Sequence, residues 1–218
     1  MHDDGSATEE LTWRTSPRSR RPSLAPCAFS MTARGETPDH MARARTLDAP
    51  VLANPILSRR AIELQDDFEI DDVAVERGAV EGPSGRGGRL RFSLLREVTL
   101  SNKRLDGAAL TDVVLERVDL TTTNLTKANL RRVSLADCRC LGLNLAEANL
   151  VGVRFTACAI EMANLRFATL QRVIFERCVL RSADFGNATM TDVVFEDCEL
   201  RLTPRSRAPE KTAPSRTN

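Results

Sequence analysis

Tyrosine is missing from this 218-residue chain, tryptophan occurs once and histidine twice. Aromatic residues make up only 4% of the total, so a conventional core built on large rings is not expected. Both histidines, His2 and His40, lie near the N-terminus, so the rest of the chain has no imidazole to serve as a general base. A charge excess of one sign is also lacking: 31 Lys and Arg stand against 30 Asp and Glu, a net charge of +1. A dedicated nucleic-acid binder needs a basic excess to neutralise phosphates, so direct nucleic-acid binding is not expected. No apolar run approaches the ~18 residues that a membrane-spanning helix requires, and no membrane partner is expected. Arg20 and Arg21 precede Ser23-Leu24-Ala25-Pro26-Cys27, a faint likeness to an export signal, but the apolar run is short and broken by proline. A reducing, cytoplasmic location follows as the expectation, with the cysteines as thiols.

What the chain does have is a period of five. Every fifth residue from Leu90 to Leu200 is apolar, mostly Leu, with Cys140, Ile160, Met190 and four Phe as variants. Two residues before most of them comes a small or β-branched side chain. Side chains alternate along an extended segment, so these two positions point to one side and the remaining residues turn a corner. A period of twenty sits on the first. Val113, Val133, Val153, Val173 and Val193 are twenty apart, as are Ala108, Ala128, Ala148, Ala168 and Ala188, and Cys138, Cys158, Cys178 and Cys198. Four five-residue sides therefore make one square coil, and like residues recur because each fills the same slot in a narrow core. Asn124, Asn144, Asn164 and Asp184 form a further column beside one corner, where Asx side chains favour turns by bonding nearby backbone.

The ends read differently. Residues 1–48 and 203–218 are rich in Ser, Thr, Pro and Arg, have no period, and read as disordered tails. Residues 49–67 read as a linker or a short capping helix. The solenoid runs over 68–202, with the phase already set at Phe68, Ile70, Val73 and Val75. The glycine-rich stretch at about 82–89 reads as a loop that interrupts the first coil.

Ala128-Asn129-Leu130, Ala148-Asn149-Leu150, Ala163-Asn164-Leu165 and Ala183-Asp184-Phe185 resemble the A(D/N)LXX motif of the pentapeptide-repeat family. The resemblance covers about 60% of the chain in an unbroken run. It implies an all-β fold, a right-handed quadrilateral β-helix, flanked here by disordered N- and C-terminal tails.

No catalytic constellation emerges, so the chain is not expected to be an enzyme, and neither a cofactor nor a small-molecule substrate is expected. Acidic pairs such as Glu196 and Asp197 fall on a convex surface with no cleft to shift a pKa. The cysteine column suits either a thiolate metal site or small apolar side chains in a tight slot; a solenoid interior lacks room for tetrahedral ligands, which favours packing and no metal. The surface remains. Val114, Ile174 and Val194 share one outward face, and Met162 and Phe167 lie elsewhere; these five form the candidate interaction surface. A rigid rod without a cleft suits docking, so the expected function is a non-catalytic scaffold that binds another protein. The alternative, implied by the resemblance, is a DNA mimic that binds or modulates DNA gyrase, a type II topoisomerase. Residues 90–202 carry 15 Lys and Arg against 14 Asp and Glu, too neutral for that pattern. An uncovered C-terminal coil would favour a homodimer.

Overall fold

The computed structural model describes residues 27–31, 47, 49–52 and 57–201, with side chains placed for 47, 49–52 and 61–200. Twelve strands in these residues wind a parallel β-solenoid of about seven coils, with no helix among them. At ~4.8 Å per coil the rod is about 34 Å tall.

Each five-residue side follows one recipe. Two inward side chains flank an outward one, and the chain then turns through a residue in the left-handed region. Every fifth residue from Asp67 to Asp197 has φ between 49° and 78°. Five of these are glycines; most of the others carry a Cβ that this conformation strains by about 1–2 kcal/mol each. Stacking offsets that cost, since each corner lies above the corner of the previous coil.

Stacking runs in steps of twenty. The strands Arg89–Arg96 (β5), Ala109–Glu116 (β6), Asn129–Ala136 (β7), Asn149–Val151 (β8), Thr169–Glu176 (β10) and Thr189–Arg201 (β12) place Leu90, Leu110, Leu130, Leu150, Leu170 and Met190 in one register. Arg154–Thr156 (β9) and Val179–Arg181 (β11) continue adjacent sides. The side through Thr99, Asp119, Arg139, Ala159 and Val179 is held by single bridges, as is the side from Ser84 to Asp184.

The inward columns form one core. Its axis changes character along the rod. Leucines in the N-terminal half leave a narrow apolar void of about 40 Å³, bounded on the far side by Phe155. Beyond it, Phe155, Phe175 and Phe195 stack with centroids 4.9 Å apart, one ring per coil. Phe185 meets Phe175 and Phe195 edge-on.

Three sequence-based expectations need correction. Residues 57–63 form a strand, Leu57–Glu63 (β2), and not a capping helix. It pairs in parallel with Val73–Glu81 (β4) at offsets of sixteen and then eighteen residues, so it falls outside the twenty-residue period. Ile62 and Leu64 alternate inward and are buried, which decides for strand.

Residues 82–88 do not loop out. Ser84 bridges Arg104, and the Gly85 and Gly87 amides donate to the carbonyls of Arg104 and Asp106 in the next coil. The glycines answer Phe68. That ring fills the slot that smaller residues hold in later coils, and a Cβ on Gly88 would stand 2.1 Å from it. Glu69–Asp71 (β3) then pairs with β5 at the regular offset.

The expectation of a wholly disordered N-terminal tail fails at Cys27–Met31 (β1), which pairs antiparallel with β12. The expectation for 203–218 lies outside the described residues.

Candidate functional site

The corners are built from short-range polar contacts. Asn124, Asn144, Asn164 and Asp184 each accept, through Oδ1, the backbone amide two residues on, at 2.8–3.2 Å. These Asx turns fix the corner and leave the carboxamide columns little freedom to bind anything else.

Charges zip between coils. Arg77 and Arg117 both donate to Glu97, at 2.5 and 2.8 Å, and hold its carboxyl below the ordinary carboxylate range. Arg91 grips Asp71 and Arg96 grips Glu116 across the same twenty-residue step. The sign alternates up a column, so each coil neutralises its neighbour.

Asp112 differs from these exposed pairs. Its side chain is 1% exposed. Nε and Nη2 of Arg132 donate to its two oxygens at 2.6 and 2.5 Å, and the Val51 amide donates to Oδ1 at 3.2 Å. These bonds, Arg132 foremost, hold the carboxyl below its ordinary value despite burial. Asp112 thus pins the chain N-terminal to the solenoid against its flank.

That segment changes the reading of the candidate face. Ile174 and Val194 are 2% and 7% exposed, because Leu47 packs on them. Val114, in the same column, is half-buried. The face is apolar as expected, but it is occupied by the chain itself and is corrected here from a partner surface to an intramolecular one. No periodic signal marks Leu47, so sequence reasoning could see the groove and not its occupant.

Met162 and Phe167 remain open, at 60% and 55% exposure. Both sit at corners, with φ of 53° and 58°, and Ala157 holds the preceding corner. Elsewhere among the described corners the residues are polar, charged or glycine, apart from Phe92. Three successive apolar corners therefore fall on one coil. The Arg166 guanidinium lies 5.5 Å from the centre of the Phe167 ring.

The cysteine column is buried and its members form no disulfide with one another. Cys138, Cys158, Cys178 and Cys198 each direct Sγ to two carbonyls, one two residues back and one in the preceding coil, at 3.3–3.5 Å. Thr123 uses its hydroxyl in the same way on Leu100. A weak donor in a small slot is what the position requires. Hydrogen bonding with Cys158, together with burial, pushes the Cys178 thiol up to about 12, and Cys158 and Cys198 are raised as well.

Two family models match this geometry at the sequence level: "Pentapeptide repeat region" over residues 108–185 and "Pentapeptide repeats (8 copies)" over 89–126. Between them the two models place pentapeptide repeats over residues 89–185. No curated protein matches the chain in sequence. Among solved structures, it is similar to a trypsin-treated variant of QnrB1, a plasmid-mediated fluoroquinolone resistance protein, at 12% identity and TM-score 0.38, over 59% of this chain and 71% of that one. It is similar to the pentapeptide repeat protein Rfr23 of the cyanobacterium Cyanothece 51142 at 17% identity and TM-score 0.28, over 67% and 89%. It is similar to HetL, a pentapeptide repeat protein involved in heterocyst differentiation regulation in Nostoc sp. strain PCC 7120, at 19% identity and TM-score 0.25, over 68% and 90%.

Proposed function

We propose that this chain is a non-catalytic scaffold that binds another protein through the corners of the coil carrying Met162 and Phe167. One observation supports the reading above others. Two large apolar side chains stand exposed in a backbone conformation that costs each about 1–2 kcal/mol. Neither solubility nor packing gains from them. Met, Phe and Arg are the residue types that protein interfaces concentrate, and Arg166 lies against the Phe167 ring. The rod supplies rigidity, so little order is lost on docking.

The DNA-mimic alternative calls for a continuous acidic stripe. The alternation of Arg77, Glu97 and Arg117 in one column works against it.

The test is affinity purification from native lysate with the full chain beside Met162→Ser/Phe167→Ser, read by mass spectrometry. A protein retained by the wild type and lost by the variant supports the reading. Equal recovery by both, or no specific protein with either, refutes it. Recovery of a type II topoisomerase subunit by both would favour the alternative.

A further inference from the structure

The axis of the rod is filled in one half and hollow in the other, and the sequence sets the difference. One inward column reads Leu95, Leu115 and Leu135, then Phe155, Phe175 and Phe195. The three rings stack 4.9 Å apart along the axis, and the void ends where the first of them stands. In the coils before it, leucines converge from four sides and their tips do not close the centre. The lining begins at Ile62, Leu64 and Phe68 and ends at Leu143, Leu145 and Phe155. Those limits lie about four coils apart, so the void is drawn out over roughly 20 Å. Bulk is placed at both limits and withheld between them. Leu143 stands in the column that holds Thr123, Ala163 and Ala183, and Gly85 and Gly88 leave room for the Phe68 ring. Phe68, Leu143 and Phe155 are all buried.

The chemistry of the void selects its contents. Every residue that lines it is apolar. A volume of about 40 Å³ has room for water, but a buried water needs two to four polar partners and the lining supplies none, so the space is dry. The backbone of these coils is engaged in the ladder between them. An apolar cavity of about 150 Å³ takes benzene or xenon; this one is far smaller and narrow. We infer that the axial void between Phe68 and Phe155 is a binding site for a small apolar gas molecule of the class of dioxygen. Such a molecule restores the dispersion contacts that the leucine tips forgo across the gap. A flat ring is too broad for it. The site lies apart from the Met162–Phe167 corner and goes beyond the scaffold reading, and its test reads a gas and not a protein partner.

Xenon is the test ligand, applied to the full chain over a series of pressures, with the leucine methyl resonances as the readout. Methyls of Leu95, Leu115 and Leu135 should shift along a saturable curve, while those of Leu165, Leu170 and Leu180 in the filled half stay in place. Leu115→Phe/Leu135→Phe lengthens the ring stack down its own column and should abolish the saturable shift of the remaining lining leucines. Shifts that never saturate, equal shifts in both halves, or a double variant that responds as the wild type does overturn the inference. Should the double variant fail to fold, Phe155→Leu decides: it lengthens the void by one coil and must tighten xenon binding, and unchanged or weaker binding overturns the inference. Benzene should not displace xenon from the wild type, and displacement overturns the assignment of a slender ligand.

Discussion

Gly88→Ala adds a single methyl group at a position whose φ does not require glycine, so its effect isolates packing. The new Cβ would stand 2.1 and 2.2 Å from Cδ1 and Cε1 of Phe68 and 2.8 Å from Cγ, all inside van der Waals contact. Phe68 is 7% exposed and has little room to move, since Gly85 closes on the same ring with a Cβ position 2.7 Å from Cε1. Overpacking of this kind costs roughly 1–3 kcal/mol. Replacing glycine also stiffens the unfolded chain, which returns about 0.4–1 kcal/mol. The balance is a loss of up to about 2 kcal/mol, or a Tm lower by roughly 2–8 °C for a domain of this size. Thermal circular dichroism measures it. The cycle with Phe68→Ala sharpens the test: with the ring gone, Gly88→Ala should become neutral or stabilising, a coupling of about 1–3 kcal/mol between the two sites. A Gly88→Ala protein that melts at or above wild type in the Phe68 background would refute the reasoning, and would restore 82–88 as a flexible loop.

Asp112 makes a pH-dependent contribution. Its folded-state pKa is depressed, so its stabilisation is present above the unfolded value of about 3.9 and is lost as pH falls through the folded value. Asp112→Asn should therefore be less stable than wild type at pH 7 by roughly 1–3 kcal/mol, with the gap closing below about pH 4; denaturant melts at a series of pH values check this, and a gap that widens in acid contradicts it. The cysteines at 138, 140, 158, 178 and 198 should resist alkylation in the native protein at pH 8 and label only on unfolding, because they are buried and the Cys178 thiol is raised to about 12. Rapid native labelling of any of them would show that the coils open locally.

The regular coils were legible because one slot repeats every twenty residues, and the side chains that fill it reveal the register before any coordinates. Val113, Cys138 and Ala148 stack as their spacing implies. The first coil was harder, since β2 pairs at a shorter offset and breaks the phase. Gly85 and Gly88 misled for a physical reason: composition marks glycine as a loop former, while here it clears space for a ring seventeen to twenty residues earlier. Of the candidate surface, Val114, Ile174 and Val194 stack in one column at steps of twenty residues. Their occupant was hidden, because a strap that crosses the coils has no period of its own and is fixed by tertiary contacts at Leu47 and Val51. Met162 and Phe167 could be found as apolar residues in corner positions, and the structure adds that those corners are left-handed and the side chains exposed.

The account turns on whether the Met162–Phe167 corner meets a partner in the cell. A photo-crosslinking amino acid at position 167 of the full chain, compared with the same group at 187 in the same column, asks this directly. Crosslinks to a single protein from position 167, with far less from 187, are the predicted result. No crosslinked protein from 167, or the same products from both positions, would contradict it.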